Sequence, residues 1–278
     1  RHSYKEILHA GAVQFSIKKE DAMKKFLVLL VAAFFTFLGG KAEAKSLDRA
    51  MISFTFDDGP NSLLLAVPIL SKYKIQGTAY IVPDWVGDGE HLTWAQLWSL
   101  FWKDGWEIGN HSFSHQHLTT LSDAQIKAEI ESAQTVFLQH GLLGQGAFAS
   151  PYGEFDDRLL GILRGVGFIT SSRQAWTEDS AFNDPLTFNE WAINVVSIRR
   201  TTTYAKIKSL IDQAVAGKKW LVLVIHDMAQ YPMDDYEMST SVLSQTASYV
   251  STLRTYGKID GVPLSKAVGK MLYYQGLP

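Results

Sequence analysis

The strongest constraint on this chain is an alternation. From Met51 onward, short runs of strand character take turns with longer stretches of helical periodicity. The strand runs are 52–56, 78–82, 106–109, 147–149, 168–171, 193–198 and 221–225. Helical stretches cover 62–73, 93–102, 122–140 and 204–216, and 239–256 reads as the last helix. Such a sequence has few low-energy solutions besides a parallel sheet with crossover helices on its faces. Ser122 and Gln125 form a capping box that fixes one helix start. Trp94, Trp98 and Trp102 recur every four residues, the pattern expected of a buried helix stripe.

Residues 1–44 are set apart from the fold. Residues 23–44 carry Lys24-Lys25, an apolar run over 26–38 and the small-x-small triplet Ala42-Glu43-Ala44, which together read as a secretory signal peptide. The apolar run, 13 residues, is shorter than the roughly 20 that span a bilayer as a helix. Residues 1–22 precede Met23 and read as a mis-set upstream translation. The expectation is therefore an exported chain, periplasmic, wall-associated or extracellular, with no stable membrane span. Residues 45–278 hold no linker, repeat or low-complexity tract and read as one domain.

Composition narrows the chemistry. The chain has no cysteine, which removes disulfides, thiolate nucleophiles and sulfur-ligated zinc and leaves His, Asp and Glu as metal ligands. Residues 1–44 hold seven basic and four acidic residues, so 45–278 carry 19 and 24, a net charge of −5. That balance argues against nucleic acid as a partner.

Polar residues gather where strands should end. Thr55-Phe56-Asp57-Asp58-Gly59-Pro60 closes the first run, Asn110-His111-Ser112-Phe113-Ser114-His115 the third, Pro151-Tyr152-Gly153 follows the fourth, and His226-Asp227 ends the seventh. In a parallel barrel the carboxyl ends of the strands share one face, so these clusters converge. Adjacent buried carboxylates at Asp57 and Asp58 require a compensating cation. His111 and His115, with one aspartate oxygen, supply three N/O ligands to a divalent metal and leave a position open, the mark of a catalytic site. Such a metal activates water and polarises a carbonyl, the second carboxylate accepts the water proton, and His226 is placed to protonate a leaving group.

These four motifs, T-F-D-D-G-P, N-H-S-F-S-H, P-Y-G and L-V-I-H, in this order over about 52–268, resemble the polysaccharide deacetylases, also called carbohydrate esterase family 4 or the NodB homology domain. The resemblance implies an α/β fold, a distorted (β/α)7-type, TIM-like barrel, and metal-dependent removal of acetyl groups from N-acetylated sugars such as peptidoglycan, chitin-like polymers or exopolysaccharide. It implies Asp57 as general base, Asp58, His111 and His115 as metal ligands, and His226 as general acid. The Tyr152 backbone N–H is implied as oxyanion donor, with Pro151 and Tyr152 against the substrate and Leu223 lining the acetyl-methyl pocket. Zinc suits this donor set, as do cobalt and nickel.

Two departures from the family pattern shape further expectations. The Arg usual two positions before the Pro of P-Y-G is Ala149 here, and the usual D-x-x-D-W segment is replaced by Ser171-Ser172-Arg173-Gln174-Ala175-Trp176. Arg173 is therefore expected to supply the cation beside Asp57, with Arg199 and Arg200 as competitors, and Trp176 to wall the acetyl pocket. His117 reads as a helix-approach residue, Trp85 as a rim aromatic, and Asp234, Asp235 and Glu237 as an acidic loop near the sugar. O-acetyl xylan, another amide or ester, and a carbohydrate-binding protein that has lost catalysis are the competing readings.

Overall fold

The computed structural model describes residues 46–143, 146–173 and 181–277. The readings of residues 1–22 and of the signal peptide, and the place of Trp176, lie outside them. In chain order the elements are β1 (Ala50–Phe56), α1 (Ala66–Lys72), β2 (Thr78–Ile81), α2 (Trp94–Trp102), β3 (Glu107–Asn110), α3 (Asp123–Gln139), β4 (Ala147–Ala149), α4 (Asp157–Gly165), β5 (Ser171–Arg173), β6 (Phe182–Asn183), β7 (Val196–Ser197), α5 (Tyr204–Gly217), β8 (Trp220–Ile225), β9 (Asp227–Ala229), β10 (Glu237–Ser239), α6 (Thr240–Thr255), β11 (Ile259–Gly261) and α7 (Leu264–Tyr274).

The sheet runs β5-β4-β3-β2-β1-β8, all parallel. Beyond β8 lies β7, also parallel, and just upstream of it Ile193 makes a parallel bridge to Arg173 of β5. The circuit thus closes on itself as a distorted α/β barrel, with the segment from Ile193 to Ser197 as its seam. β1 is the centre. It pairs with β8 along one edge, and its other edge is shared by β11 at Ala50–Ile52 and β2 at Thr55–Phe56.

Pleating sorts the strand residues into two layers, because successive side chains face opposite sides. Ile52, Phe54 and Phe56 of β1 and Leu221, Leu223 and Ile225 of β8 face outward, in a core completed by Ile207 and Ile211 of α5 and Leu243, Ala247 and Val250 of α6. Met51, Trp220, Val222 and Val224 face the barrel interior with Tyr80, Ala147 and Ala149. Both faces of these strands are covered, which is why they read as continuous apolar runs. One inward pair of polar groups is satisfied locally. Trp220 Nε1 donates to Ser53 Oγ at 3.0 Å, and the Ser53 hydroxyl donates to the Val262 carbonyl at 2.7 Å.

Four expectations need correction. The last helix is α7, after β11, beyond the 239–256 stretch that forms α6. Gly269 inside α7 weakens its helical signature. The fifth strand is Ser171–Arg173, not 168–171: Ile169 packs among α3 and α4 residues while the polar Ser171-Ser172-Arg173 run pairs with β4. Of the 193–198 run only Val196–Ser197 is strand. The tryptophans of α2 are not a buried stripe, since Trp98 and Trp102 are 46% and 53% exposed while Leu97 and Leu100 are buried. A four-residue step advances the side chain by roughly 40° around a 3.6-residue helix, so Trp98 and Trp102 drift off the buried face. No described helix is long and apolar enough to cross a membrane.

Candidate active site

The carboxyl ends of the strands open into a cavity of about 510 Å³ that gathers Asp57, Asp58, His111, His115, Tyr152, Arg173 and His226. Neighbouring strand residues normally face opposite sides, yet Asp57 and Asp58 both reach it. The strand ends between them: Asp57 N–H still donates to the Ile225 carbonyl at 2.9 Å, whereas Asp58 and Gly59 turn into the left-handed region at φ 68° and 79°. Glycine suits position 59, where a side chain would be strained at this φ and its Cβ would lie 2.7 Å from Ile81 Cδ1, forcing that side chain to shift.

The loop after β3 is built to bring two imidazoles together. Asn110 Oδ1 accepts from Ser112 N–H at 2.9 Å, Ser112 Oγ accepts from His115 N–H at 3.0 Å, and Glu129 of α3 accepts from the N–H groups of Phe113 and Ser114. The His111 and His115 rings end 4.9 Å apart. His111 Nδ1 lies 2.7 Å from the Ala149 carbonyl. A carbonyl only accepts, so Nδ1 carries the proton and Nε2 presents its lone pair to the cavity.

These donors fit a divalent cation. Asp58 Oδ1 stands 3.4 Å from Nε2 of both histidines, and one ligand atom from each of the three residues falls within 4.8 Å of the others. Asp58 Oδ1 is buried and has no hydrogen-bond partner among the described residues. With both imidazoles neutral, three lone pairs converge, as a three-ligand site with an open position requires. A proton on His111 Nε2 would compete for the same position: burial pushes the Asp58 carboxyl up, but hydrogen bonding and charge from a protonated His111 hold it well below the usual carboxylate range. Burial, with the neighbouring His111 charge, pushes His115 down to about 4.

Arg173 stands beside Ala149 in the β4–β5 register. Its guanidinium donates to Asp57 Oδ2 and, at 2.8 Å, to Thr55 Oγ1, and lies 4.7 Å from the centre of the Tyr80 ring. Arg173 and Asp57 are 6% and 4% exposed, so each charge compensates the other away from solvent. Asp57 Oδ1 remains without a partner among the described residues. His226 Nε2 is 3.8 Å from Asp57 Oδ2. Arg199 and Arg200 lie elsewhere: Arg199 stacks over Tyr236 at 3.9 Å and sits 3.6 Å from Asp235, and Arg200 donates to the Met233 carbonyl at 2.8 Å.

Tyr152 follows β4 in a left-handed conformation, φ 57°, which costs a residue with a Cβ roughly 1–2 kcal/mol. Its backbone N–H donates to no other described residue. Four of the six described non-glycine residues at positive φ, namely Asp58, Ser112, His115 and Tyr152, belong to this site. Backbone strain is thus concentrated where the surroundings must hold it.

Several sequence expectations are placed differently. Leu223 is fully buried in the outward core and does not line the cavity, whereas Val224 does. The reason is parity, since residues an even number apart share a strand face and Leu223 is three before His226. Pro151 is buried and does not line the cavity, to which Ser150 and Gly153 contribute instead. Trp85 packs against His115, ring centres 4.8 Å apart, outside the cavity lining. Of the acidic loop only Asp234 lines the cavity, while Glu237 accepts backbone N–H groups of Met233 and Asp234. Val195, Asp227 and Tyr236 complete the wall. Val224 alone among the unforeseen lining residues had a signal, the period of two counted back from His226.

Residues 44–170 match the polysaccharide deacetylase family profile. Chitin deacetylase 1 of Cryptococcus neoformans var. grubii is 25% identical over 189 residues, 67% of this chain and 39% of that protein. The chitooligosaccharide deacetylase of Azorhizobium caulinodans is 30% identical over 146 residues, 50% of this chain and 64% of that protein. The chain therefore spans less than two thirds of the length of these relatives. A family 4 carbohydrate esterase from Streptomyces lividans, solved with acetate, superposes with a TM-score of 0.52 at 18% identity, covering 75% of this chain and 90% of that one. That likeness concerns the fold.

Proposed function

We propose, from the premise that this chain belongs to the polysaccharide deacetylase family, that it hydrolyses the acetamido group of N-acetylglucosamine-type sugars in a polymer or oligomer. The observation that carries the reading is one cavity holding a three-donor cation site, a second carboxylate with an unpaired oxygen, and an imidazole across from it. The names of the relatives favour chitin and its oligomers, and peptidoglycan belongs to the same test set.

Asp58, His111 and His115 would hold the cation, with zinc the best match to two imidazoles and a carboxylate. When bound, it supplies Lewis acidity toward water and the acetyl carbonyl. The remaining chemistry falls to the chain. Asp57 Oδ1 takes a proton from the attacking water as the C–O bond forms, and Arg173 holds Asp57 in place by occupying Oδ2. The Tyr152 N–H donates to the carbonyl oxygen as negative charge develops there. His226 delivers a proton to the sugar nitrogen as the C–N bond breaks, releasing acetate and a free amine. An exported location is part of the proposal, resting on the sequence of residues 23–44.

The test is acetate release on N-acetylglucosamine oligomers, peptidoglycan and acetylated xylan, with the protein stripped of metal and reloaded with zinc or cobalt. Metal-restored release from a glucosamine substrate supports the reading. Release from xylan alone replaces it with an esterase, and no release with metal bound replaces it with a carbohydrate binder.

A further inference from the structure

His117 stands out in the sequence and takes no part in the reaction above. It is the residue that leads into the short turn Leu118–Thr120, and its ring lies flat on that of Tyr152, 3.8 Å between centres and 9° between planes. Its Nδ1 is 3.1 Å from Glu154 Oε1, and Glu154 Oε2 accepts from the Thr119 hydroxyl at 3.1 Å. Glu154 follows Tyr152 by two residues, so the contacts close a loop from the Tyr152 ring through His117 and Glu154 back to the Tyr152 backbone. The segment after β3 is thereby tied to the turn after β4.

Tyr152 depends on few neighbours. The residue is 52% exposed, and its other close ring contact is an inclined one with His115 at 4.7 Å. A left-handed residue so exposed is held by what touches it. Neither His117 nor Glu154 lines the cavity, and their contacts reach it through Tyr152.

We propose that His117, braced by Glu154, is a positioning residue that clamps Tyr152 in its left-handed conformation and so aims the Tyr152 N–H at the acetyl oxygen. The proposal rests on the deacetylase reading of the same cavity. Its test compares the wild-type full chain, His117→Ala and His117→Phe, all zinc-loaded, by kcat and KM on N-acetylglucosamine oligomers. In parallel, hydrogen exchange is followed at the amides of Gly153 and Glu154, which donate to the Ser150 and Pro151 carbonyls within this turn. His117→Ala is expected to lower kcat about tenfold with KM within about twofold, and to speed exchange of the two amides about tenfold. His117→Phe keeps the flat ring and is expected to recover most of both losses. Unchanged exchange and kcat in His117→Ala, or a His117→Phe variant as impaired as His117→Ala, overturns the clamp. A rise in KM alone overturns it in favour of a sugar contact. Should the wild type release no acetate from any substrate, the deacetylase reading falls, while the exchange rates still decide whether His117 holds the turn.

Discussion

The two ends of the barrel both bury carboxylates and treat them oppositely. At the amino ends of the strands, Glu107 accepts from the Thr78 hydroxyl at 2.7 Å, from the Ser265 N–H at 3.1 Å and from the Ser265 hydroxyl. Ser265 lies in the first turn of α7, where the helix dipole favours an anion. Neither oxygen is left over. At the carboxyl ends, Asp57 and Asp58 each keep a buried Oδ1 with no hydrogen-bond partner among the described residues. An unpaired buried acceptor costs about 1–3 kcal/mol, and in the function proposed above a cation for one and a water proton for the other would offset that cost. The amino end uses a carboxylate to join β2, β3 and α7. The other end leaves one oxygen of each carboxylate out of the fold's own hydrogen bonding.

The contrast can be broken or sharpened by variants, from the largest effect downward. Removing the cation with a chelator is expected to abolish acetate release and leave the far-ultraviolet circular dichroism unchanged, with zinc restoring turnover. Asp57→Asn should lower kcat by about 10³-fold, within the range for a lost general base, while calorimetry still registers one zinc per chain. Arg173→Ala should lower kcat about 100-fold and stability by about 3 kcal/mol, as expected when one partner of a buried ion pair is removed. Adding Ala149→Arg to that variant should restore part of both, because residues 149 and 173 are register partners; no restoration would show that the charge must enter from β5.

At the amino end, Glu107→Ala should destabilise by about 2 kcal/mol in urea, through the donors it strands, with kcat unchanged. Burial raises the Glu107 carboxyl above its ordinary value of 4.5, despite the hydrogen bonds from Ser265 and Thr78 that lower it. The folded state therefore binds that proton more tightly than the unfolded chain. This contribution to stability is fully present below the ordinary value and is lost as pH rises through the raised one. Glu107→Gln should remove that decline, read from urea midpoints across acidic pH.

The alternation of elements was legible because both faces of the strands are covered and the helices carry their own periodicity. The convergence of Asp57, His111, Tyr152 and His226 was legible because parallel strands bring their carboxyl ends together. What escaped did so for local reasons. Ser171-Ser172-Arg173 is polar because it borders the site, so hydrophobicity placed that strand three residues early. β9 and β10 pair only with each other, over three residues, below what periodicity detects. The wall formed by Val195 and Tyr236 depends on how two irregular segments fold over the mouth. Leu223 was a matter of counting, since an interval of three along a strand changes faces.

The left-handed backbones at Asp58, Ser112, His115 and Tyr152 also bear on how this protein would answer selection for heat tolerance. Glycine adopts such angles without a steric penalty, so glycine at these positions relieves strain that the present side chains impose. At Asp58 and His115 the exchange deletes a cation ligand, and at Tyr152 it deletes the ring that His117 grips. A library screened only for survival at high temperature would therefore drift toward glycine at the mouth of the barrel and grow slower as it grew hardier.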